Sequence, residues 1–288
     1  MSSTLPKISI ITINYNDCSG LQKTFDSVFG QTWQDFEYVV IDGGSTDGSK
    51  ELIEKNKLKI DYWVSEPDSG IYNAMNKGIA AATGAYLLFL NAGDHFYSDT
   101  VLEENYQDVF DADLVCFDME RIKQKEIIIE QFPKIINFSY FLEGSIGHPA
   151  TFIKKELFEK FGFYNEQLKI VSDWEFFMKV LIFGNCSYKK IDKILSTFYA
   201  GGISSSDFSP IESSKVLNEN YARFIDDYDE LFKNRRVVNS NRVQMLIEIE
   251  KSSFGKKMIS FLFRLYIFCF SKRKLKDILI KVEKTSIH

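Results

Sequence analysis

Along residues 8–94 the chain alternates short apolar runs with segments of helical spacing. The runs fall at residues 8–12, 38–41, 62–64 and 86–90, and each ends in a polar or glycine-bearing turn. Between them, Leu21, Phe25, Val28 and Phe29 share one helix face, a helix starts near Ser49, and Ile71, Met75, Ile79 and Ala82 share another face. Short buried strands separated by helices predict an α/β body: a mainly parallel, twisted sheet flanked by helices and joined by right-handed crossovers. Beyond it the pattern loosens. Strands are expected at residues 114–117, 127–129, 151–153 and 188–191, with a helix over 173–183. After a Gly/Ser loop at 201–206, Leu217, Tyr221, Phe224, Tyr228 and Leu231 recur at helical spacing. The chain therefore divides into a body, residues 1–208, and a helical C-terminal extension, residues 209–288.

Composition sharpens this picture. With 45% hydrophobic residues, 26% charged and 5 Pro among 288, the chain is neither disordered nor low in complexity. Its 26 Phe and 14 Tyr predict a largely aromatic core. Cys18, Cys116, Cys186 and Cys269 lie far apart without zinc spacing, so a reducing, cytoplasmic setting is expected. The first ten residues do not read as a signal peptide, and no run of about 18 uncharged apolar residues suggests a spanning helix. The net charge of −5 conceals an asymmetry: residues 251–288 carry +8 and the remainder −13. An acidic body does not invite nucleic acid. The basic amphipathic segment at about 254–276 pairs a wide apolar face with a narrow stripe of Ser253, Lys257, Ser260, Arg264 and Ser271. It is expected to lie on the inner face of the plasma membrane as a peripheral contact, or against protein, in its own domain or a homodimer.

In an open parallel sheet, ligands collect at the carboxyl ends of the strands. Three such ends are polar here: Thr12, Asn14, Tyr15 and Asn16 after the first strand, Asp42 after the second, Asn91 and Asp94 after the fourth. The first turn holds neither a dinucleotide-binding glycine fingerprint nor a P-loop. There is no nucleophile elbow, and His95, His148 and His288 are too few for a histidine-rich metal centre. What remains is carboxylate chemistry with a hard cation.

The stretches SIITINYN, VVIDGGSTDGS and SEPDSGIYNAMNKGIAAATGAYLLFLNAGD resemble the nucleotide-sugar-binding half of family 2 glycosyltransferases with the GT-A fold. GHPATF at 147–152, SDWEFFMKVL at 172–181 and YAGGISSS at 199–206 extend the likeness in the same order, covering about residues 6–206. The resemblance implies an inverting, metal-dependent transferase of the bacterial surface-polysaccharide (colanic-acid) type. It would move a hexosyl or N-acetylhexosaminyl group from a nucleoside-diphosphate sugar, UDP above all, to a glycan or lipid-linked acceptor.

It also implies roles. Asp42 would accept the uracil imide N–H, with Tyr15 and the chain near Thr12 flanking the base and Asp68 and Asn76 helping to hold the nucleoside. Asp94 would bind Mn²⁺ or Mg²⁺. Asn91 stands where the family usually has the first Asp of an Asp-x-Asp signature, so metal affinity rests on the final carboxylate and the donor diphosphate. Asp173 matches the family's general base, although the same Asp reads locally as a helix cap. His148 reads as a loop residue or as a contact to diphosphate or metal. Lys77 reads as a solvated helix face ahead of a contact to phosphate, His95 as pointing away, and Glu175 as facing away from Asp173. Two other functions compete: a catalytically silent nucleotide-sugar-binding module, allowed by Asn91, and a nucleotidyltransferase, which would want a basic glycine-rich first loop.

Overall fold

The computed structural model describes residues 8–124, 126–200 and 208–270. It divides into two compact units, Met1–Asn220 and Tyr221–His288. The first unit opens with β1 (Ile8–Asn14), α1 (Cys18–Phe29), β2 (Glu37–Asp42), α2 (Ser49–Asn56), β3 (Tyr62–Ser65), α3 (Ile71–Ala81) and β4 (Tyr86–Phe89). β1 is buried at every position because it lies between β2 and β4 with helices over the sheet, which is why it reads as a continuous apolar run. The Asp17 carboxylate caps α1 by accepting the Gly20 N–H at 2.9 Å, and the helix turns Leu21, Phe25 and Val28 into the core. α3 presses onto β1 and β2 at Gly78, where a methyl group would lie 2.5 Å from Ile11 Cγ2.

The rest of the unit is β5 (His95–Phe96), α4 (Val101–Asn105), β6 (Leu114–Lys123), β7 (Glu126–Glu130), α5 (Phe138–Glu143), β8 (Thr151–Lys154), α6 (Glu156–Phe161), α7 (Ser172–Met178), β9 (Tyr188–Ala200) and α8 (Phe208–Asn220). Among the described residues nine strands form one sheet in the order β3-β2-β1-β4-β8-β6-β9-β5, with β7 paired to β6. It is mixed. The β3-β2-β1-β4 half is parallel, as the alternating pattern predicts. β8 runs antiparallel to both β4 and β6, and β5 antiparallel to β9. Aromatic rings fill the space under α6 and α7, where Phe158 and Phe176 stack with centroids 4.3 Å apart.

Several elements depart from the sequence reading, β6 among them, which runs to Lys123 rather than Phe117. β9 continues nine residues past the expected end at Ile191, because a bulge at Phe117–Asp118 lets β6 resume pairing with β9 as far as Ala200. At that bulge Lys190, 1% exposed, donates to Asp118 at 2.7 Å, a buried ion pair that hides a charge inside a strand. The helix expected over 173–183 is α7 followed by one wider turn, in which the Gly184 N–H reaches the Lys179 carbonyl at 2.8 Å.

α8, assigned from sequence to the extension, falls within the first unit. Its Glu212 carboxylate accepts the N–H groups of Lys169, Ile170 and Val171 at 2.7, 2.8 and 3.1 Å. The second unit holds α9 (Ala222–Val238), α10 (Asn241–Glu250) and α11 (Ser253–Phe270). The apolar series from Leu217 to Leu231 is therefore shared between α8 and α9, which break at Tyr221.

Candidate active site

Parallel pairing brings the ends of β1, β2 and β3 into register: Asn14 lies beside Asp42, and Asp42 beside Ser65. The Asp42 carboxylate sits between them, fully buried. One oxygen accepts from Asn14 Nδ2 at 2.7 Å and Ser45 Oγ at 2.6 Å; the other accepts from the Ser45 N–H at 3.0 Å and Ser65 Oγ at 2.6 Å. Burial works to raise this carboxyl, but the bonds from Ser45, Ser65 and Asn14 outweigh it and hold it below the usual carboxylate range. A carboxylate offers about four acceptor positions, and all are filled. Asp42 thus ties the 43–48 loop to the sheet and has no oxygen free for a uracil imide, unlike its expected role.

Two other residues expected at the donor prove internal. Thr12 is fully buried; its hydroxyl donates to the Leu90 carbonyl at 2.7 Å and meets the Tyr38 hydroxyl at 2.9 Å. Asn76 clamps the segment before α7, donating to the Tyr164 carbonyl and Glu166 Oε1, both at 2.9 Å, and accepting the Tyr164 N–H at 3.0 Å. Both side chains spend their polar atoms on the fold.

The open corner of the cleft belongs to Tyr15, Gly43 and Asp68. Tyr15 is 68% exposed. An atom placed at a Gly43 Cβ would lie 2.5 Å from Asp68 Oδ2 and 3.1 Å from Tyr15 Cδ2, so glycine is what lets ring and carboxylate approach. Asp68 Oδ1 accepts the Gly70 N–H at 2.9 Å. Lys77 donates to Glu66 at 2.7 Å and to the Pro67 carbonyl at 3.2 Å, bracing the same loop.

The loop after β4 carries Asn91 and Asp94. Asp94 is 5% exposed. The Thr24 hydroxyl holds its backbone carbonyl at 2.7 Å. Burial pushes the Asp94 carboxyl up to about 7, against the lowering pull of His148 when that ring is protonated, of the Tyr199 and Asn91 N–H groups and of Lys23. Lys23 lies 3.4 Å from the centre of the Tyr199 ring. His95 turns to the Phe96 carbonyl at 2.9 Å and to the Tyr199 hydroxyl at 3.4 Å.

A run of hydrogen bonds links this loop to α7. Asn91 Nδ2 meets His148 Nε2 at 3.1 Å, and His148 Nδ1 meets Asp173 Oδ2 at 3.0 Å. Asp173 Oδ1 faces the Tyr72 hydroxyl at 2.9 Å and accepts the Trp174 N–H at 3.0 Å. Burial works to raise the Asp173 carboxyl, but the hydrogen bond from His148 and, once that ring is protonated in acid, its charge, with the Tyr72 hydroxyl and Trp174 N–H, outweigh it and leave it below the usual range. It is ionised at neutral pH. Val171, not Asp173, is the cap residue of α7, and 18% of the Asp173 side chain remains open. Glu175 turns instead to Asn165, with Lys179 nearby. Among the described residues no donor reaches Asn91 Oδ1, which is a buried acceptor.

Among the described residues no three His, Cys, Asp or Glu side chains converge as a ready metal cage. Asp94 nevertheless suits a hard cation: it is a buried oxygen donor whose ionisation is held back by burial and would be released by positive charge. Tyr72, Lys23 and Tyr199 were not found from sequence. Tyr72 lies 101 residues from its partner Asp173, so no local signal marks it. Of YAGGISSS only Tyr199 and Ala200 lie within the described residues.

Comparison with known proteins fits this arrangement. The model of Glycosyl transferase family 2 matches residues 9–166. A Mycobacterium tuberculosis protein named as an uncharacterized glycosyltransferase is 33% identical over 210 residues, 70% of this chain and 79% of that one. Staphylococcus aureus TarS 1–349 in complex with UDP-GlcNAc superposes with a TM-score of 0.61 at 19% identity, over 94% of this chain and 77% of that one. The mannosyltransferase PcManGT of Pyrobaculum calidifontis, in complex with GDP-Man and Mn²⁺, gives 0.53 at 14% identity, over 90% and 84%. With the family model spanning more than half its length, this chain belongs to glycosyl transferase family 2 and is a glycosyltransferase built on the GT-A fold.

Proposed function

We propose that this chain is an inverting transferase that moves a hexosyl or N-acetylhexosaminyl group from a UDP-sugar to a hydroxyl of a glycan or lipid-linked acceptor in surface-polysaccharide assembly. The observation that carries the reading is the ionised Asp173 carboxylate, partly open and hydrogen-bonded through His148 to the Asn91–Asp94 loop. The base of the donor lies against Tyr15 and Gly43, where Asp68 offers a carboxylate for the imide N–H that Asp42 cannot take. Asn91 Oδ1, which no donor reaches among the described residues, would accept a donor hydroxyl. Asp173 takes the proton of the acceptor hydroxyl as its oxygen bonds to the anomeric carbon and the bond to the diphosphate breaks, UDP leaving with the electron pair. Asp94 would hold Mn²⁺ or Mg²⁺, which supplies positive charge against the departing diphosphate. Lys23 adds a fixed charge beside it.

The TarS complex with UDP-GlcNAc supports a uridine donor, and PcManGT makes a GDP-sugar the alternative to exclude. A catalytically silent binding module is the second reading, favoured by Asn91 in place of a metal-binding Asp. Incubation with UDP-, GDP- and dTDP-sugars and Mn²⁺ separates them. Slow release of UDP from a UDP-sugar supports the transferase; binding without release supports the silent module.

The second unit provides the contact with the acceptor's surroundings. Among the described residues no helix is long and apolar enough to cross a membrane. α11 buries only Gly255 and exposes Phe254, Phe261, Leu262, Tyr266, Phe268 and Phe270, with Lys256, Lys257 and Arg264 on its polar side. The +8 charge of residues 251–288 complements an anionic bilayer, which supports a peripheral contact with the inner face of the plasma membrane. The full chain should sediment with phosphatidylglycerol-containing vesicles at low salt, and Phe261→Glu with Phe268→Glu should abolish this. A chain that stays in the supernatant as a dimer puts that face against a second copy. Residues 271–276 of the segment lie outside the described residues.

A further inference from the structure

We propose that His148 is the positioning residue for the base, and that the asparagine at position 91 fixes its tautomer. The inference rests on the reading of Asp173 as the base. His148 opens a short turn, His148–Ala150, that leads into β8, so its ring is anchored by the sheet between the β4 loop and α7. Its two nitrogens face groups with opposite demands. Asp173 Oδ2, 3.0 Å from Nδ1, is an ionised carboxylate oxygen and only accepts, so Nδ1 carries the proton. Asn91 Nδ2, 3.1 Å from Nε2, only donates, so Nε2 keeps its lone pair. Both neighbours therefore select one species, the neutral ring protonated on Nδ1. About five-sixths of each side chain in the His148–Asp173 pair is shielded from water, so the selection is not diluted by solvent.

This gives the departure from Asp-x-Asp a physical reason. An aspartate at position 91 would accept where Asn91 donates, which forces a second proton onto Nε2 and sets an imidazolium against Asp173. A cation in contact with a base draws down its proton affinity far more than a neutral N–H does. Asn91 thus lets His148 hold the carboxylate in place while leaving it able to take a proton. The Trp174 N–H at Oδ1 and His148 at Oδ2 together fix the plane of the carboxylate, with the Tyr72 hydroxyl shared between Oδ1 and the Ile170 carbonyl.

The chain contains three histidines, His95, His148 and His288, so nitrogen-15 ring signals of the full-length protein can be assigned by loss in His148→Asn. At neutral pH and without donor, His148 should show a protonated Nδ1 and a bare Nε2, and Asn91→Asp should convert it to the doubly protonated ring. A ring protonated on Nε2 alone, or doubly protonated in the wild type, overturns the proposal, as does an Asn91→Asp spectrum like the wild type. These measurements require no turnover. With UDP-GlcNAc as probe, His148→Ala should lower kcat for UDP release by about 10–100-fold at little change in KM. His148→Asn, whose amide nitrogen can occupy the Nδ1 position, should recover most of that loss. If Asp173→Asn abolishes release while His148→Ala releases UDP at the wild-type rate, His148 has no positioning role and the base reading survives. If Asp173→Asn is fully active, the base reading itself fails, whatever the tautomer.

Discussion

Replacing Asp42 with alanine separates a residue that binds the donor from one that builds the loop beneath it. The carboxylate accepts four hydrogen bonds at full burial, from Asn14, Ser65 and twice from Ser45. A hydrogen bond to a charged group contributes about 1.5–3 kcal/mol net, and the bonds do not sum, because freed serine hydroxyls rotate toward each other or toward water. Asp42→Ala is therefore expected to cost about 3–5 kcal/mol. At about 2–4 °C per kcal/mol for a body of this size, Tm should fall by about 10 °C. Differential scanning calorimetry of both proteins measures it. The pH dependence carries a sign. The native Asp42 carboxyl titrates below its unfolded counterpart, so on acidification the unfolded chain binds the proton first. The stabilisation is complete above the ordinary carboxylate range and is lost as pH falls through the native value; Asp42→Ala should lack that acid limb. A variant whose Tm stays within about 1 °C of the wild type while UDP binding disappears would refute the reasoning and restore a direct contact with uracil.

Three further outcomes follow from the geometry. Asp173→Asn should fold normally and bind UDP-sugar as before while UDP release drops by about 10²–10⁴-fold, whereas Glu175→Gln, whose carboxylate turns to Asn165, should stay near the wild-type rate. Because burial raises the Asp94 carboxyl to about 7, binding Mn²⁺ together with UDP at pH 6.5 (roughly half a unit below it) should release protons, measurable by calorimetry in buffers of different ionisation enthalpy; Asp94→Asn should abolish the release. Glu212→Ala should leave the N–H groups of Lys169, Ile170 and Val171 without their carboxylate, lowering Tm and accelerating proteolysis within residues 167–171.

The parallel half of the sheet was legible because each of its strands is a short apolar run closed by Gly or Asp and followed by a helical repeat. The antiparallel half was not: β9 carries Asp192 and Lys193 through its middle as a bulge opposite Phe117–Asp118, and its continuation depends on resumed pairing with β6, a partner more than sixty residues away in sequence. The segments bearing Asp94, His148 and Asp173 were found as segments. What the residues do within them was hidden, because it depends on distant partners. Ser65 comes from 23 residues away to fill Asp42, Tyr164 from 88 residues away to occupy Asn76, and Tyr72 from 101 residues away to reach Asp173. A polar side chain at a strand end looks the same in sequence whether it faces a ligand or a neighbouring serine. Only the neighbours decide, as Thr12 and Asp42 show.

The claim that Asp173 drives a single displacement is tested most directly by proton NMR of a UDP-α-sugar, such as UDP-α-GlcNAc, incubated with Mn²⁺ and the wild-type protein. Water then stands in for the acceptor, and the anomer that appears first reports the face of attack. Inversion requires the β anomer ahead of mutarotation, with the signal absent in Asp173→Asn. An α anomer formed first, or a β anomer produced equally by Asp173→Asn, would contradict the account.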